Sequence, residues 1–389
     1  MNNKKTILIS TYGLGVGGIE KCLVNFLNVL PEDKFDIDLL LMNPEYDLKK
    51  QIKRKVNYID LFKYVMTTTD TMKEIRKLGG IFRNIKKFVV YCFFRIMVKL
   101  HLKPWKTFKK IKKNYDIAIS YSHNGYSPYY VIDKVEAKRK VLWYHNGAYE
   151  ESKKKYDLDK HYYLKYNNVV AVSTDCYNIL NNKFNFKSDQ LIILKNIYDK
   201  VNVQIKAKEI LSIKFKKNFK HIVTVGRLTK EKGADLAVEA CAILVDEGYN
   251  ICWHWVGDGN QKDFIEQKIN EYGIEKHFIL EGKQINPYPY MNSCDVYVQP
   301  SYYEAYSTTI TEARILCKPI VTTDVGGMRD QILESKTGLI VGINSIDIAD
   351  AIKQIITNDE LKDNLHKNLC KEVFNSFDDL SDYYNSVLK

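Results

Sequence analysis

The sequence predicts an α/β protein of two domains, each a parallel sheet flanked by helices, with the two sheets facing each other across a cleft. Three observations carry this. The chain has 389 residues, which suits two or at most three domains at roughly 100–200 residues each. Short β-branched runs alternate with helical patterns along its length, the rhythm of β/α/β units. That rhythm pauses between Asn196 and Lys220, where the chain is rich in lysine and lacks a long strand. A first domain over 1–197 and a second over 198–372 follow. The stretch 373–389 alternates acidic with aromatic and aliphatic residues at helical spacing, and reads as a closing helix that returns to the first domain.

Strands are expected at Thr6–Ser10, Phe35–Met42, Tyr115–Ser120, Lys140–Tyr144, Val169–Val172 and Leu191–Leu194 in the first half. In the second half they are expected at His221–Val225, Ile251–Val256, Phe278–Glu281, Asp295–Gln299, Ile320–Thr322 and Leu339–Val341. Ligands of open α/β sheets bind beyond the carboxyl ends of the strands, so the chemistry is sought in the loops that follow them.

Charge is unevenly spread. Lys plus Arg is 59 and Asp plus Glu 47, a net +12. Between Lys73 and Lys113 there are 14 basic residues and one acid, Glu74, so this segment holds +13 and the rest of the chain −1. The eight cysteines stand singly without a CxxC pair, as in a reduced, cytosolic protein. After Lys4 and Lys5 the apolar run is only Ile7-Leu8-Ile9, too short for a signal-peptide core, and 88–98 is broken by Arg95. The protein is therefore expected to be neither secreted nor membrane-spanning.

Four strand-end loops stand out. Gly13-Leu14-Gly15-Val16-Gly17-Gly18 follows the first strand and opens a helix at Ile19-Glu20-Lys21. With Glu45 beyond the next strand it fits a dinucleotide-binding loop; it also fits a tight turn packing helix on sheet. Val225-Gly226-Arg227 through Lys232-Gly233 places a planar guanidinium and a point-charge ammonium after a buried strand, the two cations a diphosphate needs where no metal is present. Val256-Gly257-Asp258-Gly259 is either an ordinary turn or a place where a ligand lies against backbone. Gln299-Pro300-Ser301-Tyr302-Tyr303-Glu304-Ala305-Tyr306-Ser307-Thr308 ends a strand and starts a helix containing Glu312. Two glutamates eight apart can bracket an elongated ligand at a helix start, or merely face solvent.

Taken in order, GRLTKEKG at 226–233, VGDG at 256–259, the Glu304-x7-Glu312 pair, Gly326-Gly327 and Thr337-Gly338 resemble the retaining glycosyltransferases of family 4. So do Gly17-Gly18-Ile19-Glu20, His145-Asn146 and Asn196 in the first half. The resemblance implies the GT-B fold, two Rossmann-like β/α/β domains across a cleft, and transfer of a sugar from a nucleotide-diphosphate donor with retention of configuration. On that basis Arg227 and Lys232 hold the donor diphosphate, Gly17 and Gly18 offer amides to it, and Glu304 and His145 face the sugar. Gly226, Gly257, Ala305, Tyr306, Ser307 and Thr308 supply backbone contacts, Lys283 and Gln284 lie near the base, and Glu312 accepts from the ribose. UDP is the expected nucleotide. No cofactor and no metal are expected, and nucleic acid is not an expected partner. Ala305-Tyr306-Ser307 stands where many members have Gly-Phe-Gly or Gly-Phe-Pro, which leaves the donor sugar open.

In the basic segment, Ile75, Leu78, Phe82, Ile85, Val89, Cys92, Ile96 and Leu100 recur at steps of three and four, with Arg76, Lys77, Arg83, Lys87, Arg95 and Lys99 mostly off that stripe. A basic amphipathic helix suits docking on an anionic membrane surface; the same stripe can instead pack on the first sheet. Docking makes the enzyme peripheral on the cytoplasmic face and its acceptor lipid-linked or an oligosaccharide. Two other classes stay open on sequence: a nicotinamide-dependent oxidoreductase using Gly13, Gly15 and Gly18, and a non-catalytic peripheral membrane adaptor.

Overall fold

The computed structural model describes residues 4–15, 17–43, 46–59, 103–211, 215–372 and 384–389. The expected helical stripe from Ile75 to Leu100 and the acidic residue Glu45 lie outside them, as does most of the expected closing helix.

The first sheet has seven strands in the order β3-β2-β1-β4-β5-β6-β7. They are β1 (Lys5–Thr11), β2 (Phe35–Leu41), β3 (Asn57–Ile59), β4 (Asn114–Ser120), β5 (Glu136–Tyr144), β6 (Asn168–Ala171) and β7 (Leu191–Ile193). Every neighbouring pair is parallel. Among the described residues four helices link them: α1 (Gly18–Val29), α2 (Ser127–Lys134), α3 (Lys153–Tyr163) and α4 (Thr174–Lys183). The period of two along each strand shows in the packing. Ile7, Ile9, Ile37, Ile117 and Trp143 enter one core, whereas Leu8, Leu40, Ala118, Leu142 and Val169 enter the core on the other face. Both faces being buried explains why these strands read as unbroken apolar runs.

A short helix α5 (Lys200–Lys206) occupies the connection. The second sheet has the order β10-β9-β8-β11-β12-β13: β8 (Lys220–Val225), β9 (Ile251–Val256), β10 (Phe278–Gly282), β11 (Val296–Gln299), β12 (Ile320–Thr323) and β13 (Leu339–Val341). Its helices are α6 (Ala234–Asp246), α7 (Lys262–Glu271), α8 (Tyr288–Ser293), α9 (Thr308–Ile315), α10 (Ser345–Thr357) and α11 (Asp359–Lys371). At the chain end, Val387 and Leu388 are buried in the core under the first sheet. Arg139 Nη2 donates to the Ser386 carbonyl at 2.7 Å and Lys5 Nζ to that of Leu388 at 3.1 Å.

Each expected strand exists, within a few residues of the expected ends. β3 is an addition. It is three residues long on the sheet edge, and its polar first residue is held by its neighbour, Asn57 Nδ2 donating to Asp38 Oδ1 at 3.1 Å. So short an edge strand has no alternation to reveal it. The end of the basic segment also differs from a free, membrane-facing surface. Trp105 is buried, its ring 4.5 Å from that of Tyr129; Lys110 pairs with Glu136 at 2.7 Å and Lys113 with Asp38 at 3.0 Å. Pro104, Trp105 and Ile111 pack into the first domain, while Lys106, Lys109, Lys110, Lys112 and Lys113 stay on its surface.

In the first sheet the strand order reverses between β1 and β4, and in the second between β8 and β11. A crevice opens at such a reversal because the loops leaving the two central strands turn to opposite sides. The two crevices face one another, and that is what positions the site.

Candidate active site

A cavity of about 810 Å³ lies between the sheets, walled by the loops after β1, β5, β7, β8, β9, β10 and β11. From the first domain it receives Gly17, Gly18, Lys21, His145 and Asn196. From the second it receives Gly226, Arg227, Lys232, Gly257, Lys283 and Gln284, and the run Tyr303 to Thr309. Of the residues given a donor- or sugar-facing role from the sequence, all but Glu312 line this cavity.

The centre is Glu304. Its Oε1 accepts from Lys232 Nζ at 2.6 Å and Ser301 Oγ at 3.0 Å, with Gln299 Nε2 at 3.4 Å. Gln299 is fixed in turn, its Oε1 accepting from Tyr297 and Thr309 hydroxyls, both at 2.9 Å. The carboxylate and ammonium are 9 % and 20 % exposed, so the pair is shielded from bulk water yet open to the cavity. Gln299 and Ser301 do not announce themselves in the sequence; their role shows only when the loop is closed on the strand end.

Arg227 lies farther out, 67 % exposed, with Nη2 3.2 Å from Glu231 Oε1. A guanidinium so lightly held is free to reorient onto a ligand. Glycines make room for the backbones here. Gly257, at φ 153°, sits on the Gly226 carbonyl, and Gly326, at φ 42°, sits on the Glu304 carbonyl; a Cβ at either position would overlap that oxygen. Gly326 thus sets the height of the Glu304 loop from below.

On the opposite wall, Gly17 is the N-cap of α1 and lines the cavity, so the start of the helix faces it, the arrangement that attracts phosphate. Gly18 faces Thr308 closely, a Cβ there lying 3.2 Å from Thr308 Oγ1. His145 follows β5. Burial lowers its pKa to about 4, the Tyr121 backbone opposing in part, so it is a neutral imidazole. Its Nε2 is enclosed and without a partner among the described residues, as is Asn196 Oδ1.

Two residues depart from expectation. Glu312 stands behind the wall. One turn into α9 its side chain points toward α1 and α8, where Oε1 takes Lys21 Nζ at 3.0 Å and the Tyr288 hydroxyl at 2.9 Å, and the side chain is 3 % exposed. It reaches the cavity only through Lys21. The Ser307 amide, expected to face the ligand, donates to Gln331 Oε1 at 2.8 Å, while its hydroxyl caps α9 by accepting from the Ile310 amide at 3.3 Å. Lys283 and Gln284 do line the cavity, Lys283 joined to Asp47 across its mouth at 3.2 Å. The wall is not uniformly basic, since Glu150, Glu151 and Asp258 share it; the anion-attracting part is local to Arg227, Lys232 and the start of α1.

Two parallel sheets meeting at their switch points around such a cleft define the GT-B class of fold. The solved structures agree. HepE from Anabaena, determined with UDP and glucose, superposes with a TM-score of 0.70 at 15 % identity, over 98 % of this chain and 100 % of that one. A family model, Glycosyl transferases group 1, matches residues 206–371. Over 374 residues the chain is 26 % identical to a Campylobacter jejuni enzyme, N-acetylgalactosamine-N,N'-diacetylbacillosaminyl-diphospho-undecaprenol 4-alpha-N-acetylgalactosaminyltransferase, covering 95 % of each. It is 28 % identical over 173 residues to the capsular polysaccharide biosynthesis glycosyltransferase CapM of Staphylococcus aureus, spanning 42 % of this chain and just under half, 46 %, of that relative. Residues 206–371, the greater part of the second domain, thus match the glycosyl transferases group 1 model, and the chain as a whole has the fold of the GT-B glycosyltransferases.

Proposed function

We propose that the protein transfers a sugar from a nucleotide-diphosphate donor, of the UDP type, to a hydroxyl of a lipid-linked or saccharide acceptor, with retention of anomeric configuration. The observation that carries this is the Lys232–Glu304 pair at 2.6 Å, with Arg227 beside it and the start of α1 opposite. The reaction breaks the bond between the anomeric carbon and the diphosphate oxygen and forms one to the acceptor oxygen, whose proton is released. Negative charge grows on the diphosphate as the bond breaks. Arg227, Lys232 and the amides of Gly17 and Gly18 are preorganised donors for that charge, a contribution worth about 3–4 kcal/mol for a single donor. Glu304 lies beside the anomeric centre, where a carboxylate favours positive charge on the ring. His145, neutral, offers its enclosed nitrogen to a sugar hydroxyl or the distal phosphate. None of these steps calls on a metal.

The acceptor reading rests on the basic segment and on relatives. The +13 between Lys73 and Lys113 favours an anionic bilayer surface, at about 1 kcal/mol per basic residue close to it. The C. jejuni relative's substrate, by its name, is carried on diphospho-undecaprenol, and CapM works in capsular polysaccharide biosynthesis. Both support a role in cell-surface glycan assembly, on the cytoplasmic face of the membrane. No described helix is long and apolar enough to cross a membrane.

Nucleotide release from a panel of UDP- and GDP-sugars, with and without undecaprenyl-linked acceptors, tests the donor. Release of UDP from a UDP-sugar is the expected result, and failure with every nucleotide sugar, alongside NADH binding, would favour the oxidoreductase reading. Co-sedimentation with vesicles tests docking: stronger binding to anionic than neutral vesicles is expected, and equal binding removes the membrane reading while leaving the transferase reading standing.

A further inference from the structure

One face of the second sheet carries Val223, Val225 and Val256 toward the cleft; farther back, the same face carries His221, Cys252 and His254. The register of β8 and β9 sets His221 opposite Cys252 and Val223 opposite His254, and the period of two puts all three side chains together. They are 5 %, 3 % and 4 % exposed, and one ligand atom from each lies within 4.8 Å of the others. The Phe215 ring covers both imidazoles, with centroids 4.2 and 4.4 Å away and planes within 17°.

The hydrogen bonds around the two rings do not balance. His254 Nδ1 is 2.7 Å from Glu281 Oε1, and His221 Nε2 is 3.0 Å from the Lys216 carbonyl. A carboxylate and a carbonyl only accept, so each ring carries its proton on that outer nitrogen. The inner nitrogens, His221 Nδ1 and His254 Nε2, are 3.0 Å apart, and both are then lone pairs aimed at each other. A buried contact of this kind needs a cation between the rings, either one extra proton or a metal ion. Cys252 distinguishes the two. A thiol contributes nothing to a shared proton, but as a thiolate it completes a soft-donor triad and cancels one positive charge.

We propose that His221, His254 and Cys252 form a binding site for a divalent cation of the Zn²⁺ type, separate from the cleft and not part of the transfer chemistry. Two imidazoles and a thiolate are donors Zn²⁺ prefers, at about 2.0–2.1 Å for nitrogen and about 2.3 Å for sulfur. The outer nitrogens are already anchored to a carboxylate and a carbonyl, as metal-bound imidazoles require, and Tyr290 steadies Glu281 Oε2 at 3.3 Å. The ion would tie β8, β9, β10 and the 215–216 segment together. Lys283, two residues past Glu281, lines the cleft, so the ion would also firm that wall.

The test uses the full chain, stripped with chelator and titrated with Zn²⁺ and, separately, Co²⁺. Uptake of one equivalent, a rise in melting temperature with Zn²⁺, and a sulfur-to-cobalt charge-transfer band are expected. Cys252→Ser should abolish the band and weaken Zn²⁺ binding at least about tenfold; Glu281→Gln should keep the band and weaken binding by about 10–100-fold. Cys370→Ser, which removes an exposed thiol 3.6 Å from His366, should change neither. No uptake by the wild type, or uptake lost in Cys370→Ser and kept in Cys252→Ser, overturns the site and leaves a proton-bridged histidine pair. Should Cys252→Ser fail to fold, the wild-type cobalt spectrum read against Cys370→Ser still decides.

Discussion

Lys232 Nζ and Glu304 Oε1 are 2.6 Å apart although 72 residues separate them in the chain. The contact joins the loop after β8 to the loop after β11, the two strands that flank the switch point of the second sheet. On the proposed function, the cation assigned to the leaving diphosphate and the carboxylate assigned to the sugar are therefore set at a fixed spacing before any ligand arrives. Lys232→Ala removes one preorganised donor, and kcat should fall by about 10²–10³, with the far-UV circular dichroism unchanged. Glu304→Gln keeps the shape and removes the charge; a comparable fall is expected in nucleotide release. Wild-type turnover by the Glu304→Gln enzyme with any donor would remove Glu304 from its assigned role.

Gly326 supports the same loop from beneath. At φ 42° and seated on the Glu304 carbonyl, it has no room for a side chain, and a non-glycine residue in this region costs about 1–2 kcal/mol even without the overlap. Gly326→Ala should displace the Glu304 backbone. Because a shift of about 1 Å can cost about 10²-fold in rate, a loss of that order in kcat is expected, with UDP affinity reduced far less. Equal losses in both, measured by calorimetry and initial rates, would mean the whole domain has been disturbed.

Lys21 and Glu312, 3.0 Å apart, join α1 of the first domain to α9 of the second. Glu312 is almost fully buried and its Oε2 has no partner among the described residues, so it depends on Lys21 and Tyr288. Lys21→Met leaves a buried carboxylate with the Tyr288 hydroxyl as its sole donor among the described residues. Destabilisation of about 1.5–3 kcal/mol is expected, visible as a lower urea midpoint at pH 7. The double change Lys21→Met with Glu312→Leu should recover much of it, since the unpaired charge leaves with the carboxylate. A single mutant as stable as wild type would show that water reaches Glu312.

The strands and the order of the site loops are legible in the sequence because a parallel sheet buries both faces, so each strand is an apolar run that ends where its loop begins. Arg227, Lys232 and Glu304 each stand in the loop that follows such a run. Glu312 is not legible in the same way: its partner Lys21 is 291 residues distant, and only the docking of one domain on the other reveals that it looks away from the cavity. The Ser307 amide is similar, claimed by Gln331 from 24 residues along. The lysines of 103–113 read as surface charge by composition, yet Lys110 and Lys113 meet acids on β5 and β2. Local pattern carries the strand ends; long-range pairing decides which side chains remain available there.

His145 offers a pH test. Burial holds its pKa at about 4, below the ordinary 6.5, and His123, whose Nδ1 accepts from the His145 amide at 3.3 Å, is lowered to about 3 by the same cause, with His145 and Lys155 adding to it. In the unfolded chain both imidazoles take a proton as pH falls below about 6.5, whereas the folded protein takes none until near 4 and 3. The unfolded state thus binds more protons through this window, and stability present above pH 6.5 is lost as pH falls from about 6.5 toward 4. Each histidine contributes at most about 1.4 kcal/mol per pH unit there. Urea unfolding of the wild type at pH 7, 6 and 5 should show this decline, and His145→Phe should have a shallower slope. Since the imidazole stays neutral throughout, the rate of sugar transfer should show no inflection near pH 6.5 from His145; an inflection there that vanishes in His145→Asn would mean the ring is protonated in the working enzyme.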